Sequence, residues 1–424
     1  MRLSEISFSS LLLFNSGRFV LVGEHDFVET DPDDTQLKED VATLAESIAG
    51  QSTTGQQAFP ISLDTYKYNV ICIPHPATGE ILYTVTRGEP ILLDPDNMPQ
   101  TLNELEFSDI LLNNGNGTYL RGIRGFGRQV LPSPSEFQEE IDELRAQVNA
   151  EFDKHKRHSF RINFKGRSYR VAVFDGIASG NGHAFSLRKG MDTIPDFYKL
   201  GLPERIAEWL TDSNQQKGLI LFSGAQASGK TTSAASCISK RLVKFGGHAL
   251  SIEMPAEMPL SGMHGEHGTC WQCDLDGEAD LPAVLQVSHR STADIIYIGE
   301  VLGSTTASEL LQISLSSSRQ LIFSTIHGTG VVAALDRLLT WAKENAGEAA
   351  ALNLSECLLG VIHQELVPTK NGGWELNSPE FLLLPDSQRA KATRAIIKDG
   401  NLKALNDVIK EQRSIILYQG LEYL

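Results

Sequence analysis

From residue 196 onward, the chain alternates short, continuously apolar segments with longer segments whose apolar residues recur every three or four positions. The short segments predict strands and the longer ones predict helices, because these periodicities belong to extended and helical backbone. Apolar strands between helices are typical of a parallel sheet buried on both faces. The predicted strands are 218–222, 248–252, 294–298 and 320–325, and the predicted helices are 231–245, 281–288 and 305–316.

The tail after residue 346 is predicted to be mostly helical. Its apolar residues fall at spacings that fit one face of a helix. We therefore interpret residues 197–424 as an α/β domain with a parallel sheet and a helical tail. The apolar tail residues are Leu352, Leu358, Leu359 and Ile362, followed by Leu402, Leu405, Val408 and Ile409.

Two further regions precede this domain. Residues 101–196 predict a smaller α+β domain, in which a polar helix at 133–156 is followed by strands at 159–164, 168–174 and 183–188. Segment 189–195 contains Gly190 and Pro195, which mark it as a linker between domains.

Residues 1–100 form an additional N-terminal module of unknown role. Strands are predicted at 18–23, 68–73 and 81–86, where β-branched and apolar residues are concentrated. A helix is predicted between the first two strands, because apolar residues recur there at helical spacing. These residues are Leu37, Val41, Leu44 and Ile48.

Composition narrows the class of protein. Apolar residues make up 41% of the chain and charged residues 21%, which is typical of globular domains. The net charge of -16 does not imply a strongly basic patch, so we expect no direct nucleic-acid binding. Five cysteines indicate a reducing compartment, and no apolar run reaches the roughly 18 residues needed to cross a bilayer. We expect a cytoplasmic protein whose membrane contact comes through partners.

One motif points directly to nucleotide chemistry. The phosphate-binding pattern G-x-x-x-x-G-K-[ST] is complete, and it lies between a predicted strand and a predicted helix. Its backbone N–H groups and the helix N-terminus surround phosphate oxygens, while the lysine reaches the β- and γ-phosphates and the hydroxyl binds Mg²⁺. The predicted ATP-binding residues are Gly224, Ala225, Gln226, Ala227, Ser228, Gly229, Lys230, Thr231 and Thr232.

A second acidic group is needed to hold Mg²⁺ or its water ligands. The apolar strand at 294–298 delivers Glu300 to the carboxyl edge of the sheet, where ligands bind in open α/β folds. Thr231 and Glu300 are therefore the predicted Mg²⁺ residues. The alternatives are an ordinary glycine turn at 224–231 and an acidic residue that merely ends a strand.

Together these segments resemble one family, the motor ATPases of type IV pilus and type II/IV secretion systems, over about residues 102–424. The order and spacing of the motifs make the resemblance specific. Besides the phosphate loop, the matching segments are an acidic box at 251–257, an Ile-Gly-Glu at 298–300, a histidine box at 324–327, a segment at 357–367 and an upstream start at 107–110.

The resemblance implies a RecA-like P-loop core that hydrolyses ATP with Mg²⁺ and works as a homo-hexamer on an inner-membrane platform protein. In this family the acidic box polarises the attacking water, and the histidine box senses the γ-phosphate. Arginines of the preceding domain grip phosphates across a cleft. By this match Glu253 polarises the water, Glu300 organises Mg²⁺ and His327 senses the γ-phosphate. The matching arginines are Arg167, Arg170 and Arg188.

The chain departs from the family pattern in two places. Met254 stands where the acidic box usually has Asp, and the Ile-Gly-Glu segment continues as Val-Leu-Gly at 301–303 instead of Arg-Asp. Hydrolysis is then slow, or another acid compensates. The chain also lacks the four-cysteine zinc module common in extension ATPases, which favours a retraction-type or conjugative-type member.

The residues that match the acidic box, the histidine box and the arginines of the family also have alternative interpretations. Glu253 and Glu257 fit surface turn residues, and His327 fits a histidine that ends a strand. Arg167 and Arg170 alternate with apolar residues, which is also typical of a solvated strand face.

A cluster that the family does not explain lies at 264–273. His264, His267, Cys270 and Cys273 recur every three residues in a glycine-rich segment, and all four are good zinc ligands. The two pairs are closer together than in common zinc modules. We expect a plain surface loop, with zinc or a redox pair as alternatives.

The resemblance thus implies a hexameric ATP-hydrolysing motor for pilus assembly, pilus retraction or conjugative-type secretion. The alternative is an ATP-binding regulatory or scaffolding subunit with little turnover, which Met254 favours. A small-molecule kinase is a third option, but no lid arginines follow the phosphate loop at 303–318.

Overall fold

The computed structural model places the chain in two compact units. One comprises residues 1–156 and 173–189, and the other comprises residues 157–172 and 190–424. The structure describes residues 3, 6, 8, 10–14, 19–23, 34–51, 58–63, 66–74, 81–90, 99–113, 117–123, 126, 129–175, 183–212, 214–288, 290–316, 319–369, 374–418 and 420.

The strands in chain order are β1 (Ser10–Phe14), β2 (Phe19–Val22), β3 (Ala58–Leu63), β4 (Tyr66–Pro74), β5 (Ile81–Pro90), β6 (Asp109–Asn113), β7 (Gly117–Arg121), β8 (Val130–Pro132), β9 (Ser159–Phe164), β10 (Arg167–Phe174), β11 (Ala184–Lys189), β12 (Gly218–Gly224), β13 (Gly247–Glu253), β14 (Gly262–His264), β15 (Gly268–Asp274), β16 (Ile295–Ile298), β17 (Leu321–His327), β18 (Leu358–Gln364), β19 (Leu366–Pro368), β20 (Trp374–Leu376) and β21 (Glu380–Leu383). The helices are α1 (Thr35–Gln51), α2 (Gln138–His155), α3 (Glu204–Leu210), α4 (Lys230–Phe245), α5 (Leu281–Ser288), α6 (Ser304–Ser316), α7 (Val331–Ala346), α8 (Ala349–Cys357), α9 (Gln388–Lys398) and α10 (Leu405–Tyr418).

The N-terminal residues of the first unit form an antiparallel sheet in the order β2-β1-β5-β4-β3. Helix α1 buries the apolar residues that the helical spacing singled out, so this prediction is confirmed. The three predicted strands correspond to β2, β4 and β5, although residue 18 of the first prediction lies outside the described residues. The buried positions of α1 are Leu37, Val41, Leu44 and Ile48.

The remainder of the first unit pairs β8, β7, β6 and β11 in antiparallel order. Helix α2 is polar except for one buried stripe at Ile141, Leu144, Val148 and Phe152. The helix ends at His155 because Lys156 adopts a left-handed conformation with φ 52°. The β9–β10 hairpin follows, and it belongs to the second unit except for the last residues of β10.

The second unit is built on a sheet with the order β14-β15-β13-β16-β17-β12-β18-β21. The six inner strands, from β15 to β18, run parallel, and the outer strands β14 and β21 pair antiparallel. This arrangement confirms the predicted α/β core with a parallel sheet. Since all parallel strands end at one edge, the segments after β12, β13, β16 and β17 meet there.

Strand β12 shows why the apolar runs are continuous. All seven of its residues are buried. Leu219 and Leu221 face one apolar cluster, and Ile220 and Phe222 face the other. Helices α6, α7 and α8 cover the first face, while α3 and α4 cover the second. A strand covered by helices on both sides has no solvent face, so hydrophobic alternation disappears.

The tail differs from its predicted helical form. Leu358, Leu359 and Ile362 lie in strand β18, which pairs with β12 and β21, so the helical interpretation of these residues is wrong. A short apolar run that is buried on both faces has no period to separate strand from helix. The helical prediction holds further on, where Leu405 and Ile409 are buried in α10.

Segment 262–274 also differs from the predicted glycine-rich loop. Its residues form the β14–β15 hairpin, in which β15 runs parallel to β13. Among the described helices, none combines the length and the hydrophobicity that a bilayer crossing requires.

Candidate active site

The phosphate loop joins β12 to α4 in the expected strand–loop–helix arrangement. Gly224 has φ 156°, and a Cβ there would lie 2.3 Å from both the Gln364 carbonyl oxygen and Ser228 Oγ. Gly229 has φ 85° and precedes the first residue of α4. Both positions require glycine, because L side chains rarely adopt such backbone conformations and the first has no room for one.

Lys230 is buried at the start of α4. Its Nζ donates hydrogen bonds to the carbonyl oxygens of Ala225 (2.7 Å) and Gly224 (3.2 Å). Burial lowers the pKa of this ammonium, and the charge of Glu300 opposes the shift. The lysine is thus held inside its own loop by carbonyl oxygens, with its charge turned toward the space that the loop encloses.

His327 links the lysine to the acidic residue of the next strand. Its Nδ1 lies 3.3 Å from Lys230 Nζ, and its Nε2 lies 2.9 Å from Glu300 Oε1. The β12–β17 register sets this arrangement, since Gly224 and His327 are partners across the two parallel strands. The predicted histidine, lysine and glutamate are therefore neighbours in the structure.

Glu300 presents a buried carboxylate oxygen of the kind that a cation binds. Its Oε1 is buried and accepts no hydrogen bond of proper geometry from the described residues, despite its short distance to His327. Glu300 and Thr231 line one small cavity at the sheet edge. A hydroxyl and a carboxylate are oxygen donors of the kind that Mg²⁺ prefers, so the residues present fit this ion.

Glu253 ends β13 and is almost fully buried, with 2% of its surface exposed. Ser251 Oγ and Gln272 Nε2 both donate hydrogen bonds to its Oε1. Burial raises the pKa of Glu253 to about 7, and the hydrogen bonds from Ser251 and Gln272 act in the opposite direction. A carboxyl group whose pKa lies near 7 can both accept and release a proton at neutral pH.

Backbone space at Gly299 lets Glu253 enter the site. Gly299 precedes Glu300 and leaves room for the Glu253 side chain. Tyr297, fully buried on β16, places its hydroxyl on the Gly299 carbonyl oxygen and interacts with Thr231. Its pKa is raised well above the usual value by burial, so it remains a neutral donor. These contacts bind the ends of β13 and β16 and the start of α4 into one site.

The three predicted arginines have different surroundings. Arg170 forms an ion pair with Glu257 and lines the same cavity as Thr231, Glu253 and Glu300. Arg167 forms an ion pair with Asp192 and also contacts the Gly190 carbonyl oxygen. The phosphate contact that the sequence predicts for Arg167 and Arg170 remains a prediction for both.

Arg188 belongs to the first unit, at the end of β11. Its Nε donates a hydrogen bond of 2.8 Å to Asp109, which is its partner across β6 and β11. The carboxylate holds the guanidinium by one edge, and half of the arginine side chain is exposed. Its predicted role in phosphate binding remains a prediction.

A larger cavity lies on the other side of the phosphate loop. It measures about 350 Å³ and is bounded by Gly201, Ser228, Thr232, Leu366, Trp374 and Leu376. Its walls are mainly apolar on one side and carry loop residues on the other. The sequence predicts only the wall formed by the phosphate loop and the start of α4, because the other walls come from the end of β18, from β19 and β20, and from the segment before α3.

The His/Cys segment is divided between several environments. His264 is buried, with Nδ1 2.9 Å from Ser239 Oγ and Nε2 2.7 Å from the Leu260 carbonyl oxygen. His267 is largely exposed. Cys270 is buried, and burial raises the pKa of its thiol to about 12. Within the described residues, no group of three or more His, Cys, Asp or Glu side chains is arranged to hold a metal ion.

Comparison with known proteins identifies the family. A sequence model described as Type II/IV secretion system protein matches residues 150–412, which is more than half of the chain. The chain belongs to the type II/IV secretion system protein family. Its RecA-like core and ATPase activity follow from this membership together with the complete phosphate loop.

Two individual relatives are consistent with this family assignment. The Type IV pilus ATPase PilU of Pseudomonas aeruginosa is 28% identical over 283 residues, covering 66% of this chain and 69% of that protein. A twitching motility protein of Neisseria gonorrhoeae is 25% identical over 288 residues, covering 67% and 70%.

Solved structures of the secretion family share the fold. The pilus retraction motor PilT with bound ADP has a TM-score of 0.58 and 26% identity, covering 74% of this chain and 90% of that one. The ATPase DotB of Legionella pneumophila has a TM-score of 0.57 at 22% identity, covering 74% and 85%, and this likeness shows the fold alone.

Proposed function

We propose that the chain is a hexameric, Mg²⁺-dependent motor ATPase that powers type IV pilus assembly or retraction, or conjugative-type secretion. The observation that supports this best is the convergence of Lys230, Glu253 and Glu300 at one edge of the sheet. A phosphate loop alone binds nucleotide. A buried carboxylate with a pKa near 7 beside it provides a base for water, so the site is equipped for hydrolysis.

Lys230 is the first group to act. In the present structure its ammonium is bound by the carbonyl oxygens of its own loop. Phosphate oxygens carry more negative charge than the carbonyl oxygens of Gly224 and Ala225. When ATP binds, its phosphate oxygens therefore replace these carbonyl oxygens as partners of Nζ and draw it toward the β- and γ-phosphates. Burial of the lysine strengthens this attraction, because water screens it less.

Glu253 accepts the proton of the attacking water. As the proton moves to the carboxylate, the water oxygen forms a bond to the γ-phosphorus, and the bond from that phosphorus to the bridging oxygen breaks. Inorganic phosphate and ADP are the products. Glu253 then releases the proton to solvent, which its pKa of about 7 permits at neutral pH.

Thr231 and Glu300 would hold Mg²⁺, and the bound ion would neutralise phosphate charge. His327 lies between Lys230 and Glu300, so it experiences both the phosphate end and the metal end of the site. We assign it the role of sensing the γ-phosphate. The cavity of about 350 Å³ beside Thr232 takes the nucleoside, with Trp374 at its rim.

The motor acts as a closed ring. Arg167, Arg170 and Arg188 contribute to phosphate binding, and Arg188 is supplied to a neighbouring subunit's nucleotide. Rings in which each subunit gives and receives the same contact are closed by rotational symmetry. Residues 1–100 dock a partner. The ring works at the cytoplasmic face, on an inner-membrane platform protein.

Mixing two inactive variants tests the ring. Lys230→Ala chains lack a working phosphate loop, and Arg188→Ala chains lack the shared arginine. Mixed rings contain some interfaces with both groups intact, so mixing restores part of the ATPase activity. Light scattering follows hexamer formation in the same samples. Arg157→Ala removes an arginine paired with Asp276 and serves as the control, with activity within about two-fold of wild type.

Two results contradict the ring. Activity that stays absent in every mixture rules out the shared arginine. A chain that remains monomeric with full, concentration-independent turnover rules out the ring itself.

A second candidate is an ATP-binding regulatory or scaffolding subunit with little turnover. Met254 favours it, because this residue packs against the apolar core where the family usually has an acid. Steady-state ATP hydrolysis separates the two, since a scaffolding subunit binds ATP without releasing ADP at a motor's rate.

A further inference from the structure

Strand β15 places two polar side chains beside Glu253. It runs parallel to β13, with Ile252 paired to Cys273 and Glu253 paired to Asp274. Gln272 and Asp274 are two residues apart, so they project from the same face of β15. The segment first singled out for its histidines and cysteines thus brings an amide and a carboxylate to the acidic box.

Gln272 contacts the carboxylate of Glu253 directly. Its Nε2 donates to Glu253 Oε1 at 3.0 Å and to the Met258 carbonyl oxygen at 2.9 Å. Its Oε1 accepts the Ser261 N–H at 2.9 Å. Both ends of the amide are therefore used, and the side chain fixes Glu253 to the backbone of the segment that follows the acidic box.

Asp274 holds the same segment at a different point. Its Oδ1 accepts the Ala256 N–H at 2.8 Å, and its Oδ2 lies 3.0 Å from Arg161 Nη2 on β9. Leu275 N–H donates to the Glu253 carbonyl oxygen at 2.8 Å. The turn after Glu253 is thus attached to the end of β15 from both sides, within the second unit.

We propose that Gln272 and Asp274 are positioning residues for Glu253, holding its carboxylate in the orientation that accepts the proton of the attacking water. This inference rests on the proposed function, in which Glu253 is the base. It also accounts for Met254. The side chain of Met254 is partly buried and packs against the apolar core, and the acid that holds the turn comes from β15 instead.

Orientation matters because proton transfer requires the carboxylate within hydrogen-bond reach of the water. If the Glu253 side chain is free to rotate, the rate of hydrolysis falls but the affinity for nucleotide does not, since Glu253 does not bind the nucleotide in the ground state. Small misplacements of reacting groups cost up to about 100-fold in rate. Loss of either positioning residue therefore lowers kcat and leaves nucleotide binding unchanged.

The test compares four variants in steady-state ATP hydrolysis and in ADP binding. Gln272→Met keeps the length of the side chain and removes its donors. Asp274→Ala removes the acceptor of the Ala256 N–H, whereas Asp274→Asn keeps one. Asp276→Asn is the matched control: it removes a carboxylate paired with Arg157, two residues further along, without touching the acidic box.

We expect Gln272→Met and Asp274→Ala to lower kcat by about 10- to 100-fold, with KM for MgATP and Kd for ADP within about three-fold of wild type. Asp274→Asn retains most of the activity, and Asp276→Asn retains all of it. Thermal melts of each variant confirm that the fold is kept. If Gln272→Met unfolds, the pair Asp274→Ala and Asp274→Asn decides the question.

Wild-type kcat in Asp274→Ala and in a folded Gln272→Met overturns the positioning role, provided that Glu253→Gln is inactive. An equal loss in Asp276→Asn also overturns it, since the effect then comes from any lost ion pair at this edge. Full activity of Glu253→Gln instead overturns the proposed function itself, which distinguishes the two failures.

Discussion

A Cβ atom built on Gly299 would lie only 2.9 Å from Cγ of Glu253 and 3.3 Å from its Cβ. The Glu253 side chain thus occupies the space that a side chain at position 299 would need. These two atoms are the first carbons of the glutamate side chain, so they have little freedom to move away from position 299. The two segments of the site can therefore meet only because residue 299 is glycine.

Gly299→Ala should displace the Glu253 carboxylate. We expect kcat to fall by about 10-fold or more while ADP binding persists, because the phosphate loop is untouched. Gly277→Ala is the matched control, since Gly277 has extended backbone and open space around its Cα. Equal, wild-type turnover in both variants would mean that the position of Glu253 does not limit hydrolysis.

Glu253→Gln should retain ATP binding and lose turnover by a factor of about 100 or more, as expected for a lost general base. Glu257→Gln is the comparison, because Glu257 is the next acid of the box and forms an ion pair with Arg170. An inactive Glu257→Gln beside an active Glu253→Gln would move the catalytic role to Glu257.

The pH dependence of turnover follows from the raised pKa of Glu253. Burial favours the protonated form, so this carboxyl loses its proton only as the pH rises through about 7. The base is the deprotonated form, and kcat should therefore increase across that range and level off above it. A pH–rate profile measured from about pH 6 to about pH 8 checks this. A flat wild-type profile would contradict the assignment of Glu253 as the base.

Purified protein should contain no stoichiometric zinc. The thiol of Cys270 is buried with a pKa raised to about 12, and both ring nitrogens of His264 contact protein oxygens. Zinc binds thiolate and free imidazole nitrogen, so these residues are poor ligands as arranged. Elemental analysis that finds about one zinc per chain, lost in a Cys270→Ser/Cys273→Ser variant, would refute the expectation.

The sequence was sufficient for the parts of the site that are local. The phosphate loop, the strand before Glu300 and the helix after Lys230 are contiguous in the chain, so motif and hydrophobic pattern predict them together. The neighbours Gln272 and Asp274 depend on the pairing of β13 with β15. Such pairing between distant segments leaves no periodic signal, and these residues were missed.

The same reason explains the error in the tail. Strand β18 lies between β12 and β21 in the sheet, and its residues are largely buried on both faces of that sheet. Its apolar run therefore fits a helix as well as a strand. The glycine-rich segment at 262–274 has no strand pattern of its own in the sequence, because its strand character comes from pairing with β13. The cavity of about 350 Å³ beside the phosphate loop is not predicted for a similar reason, since its walls are assembled from four separate segments.

The most direct measurement is steady-state ATP hydrolysis by the wild-type chain and by Lys230→Ala, with Lys240→Ala as the control. Lys240 lies on the same helix but pairs with Asp196, away from the loop. We expect Mg²⁺-dependent release of ADP and phosphate by wild type and Lys240→Ala, and none by Lys230→Ala, which also binds nucleotide far more weakly. Wild-type turnover in Lys230→Ala would contradict the assignment of the phosphate loop as the site of hydrolysis.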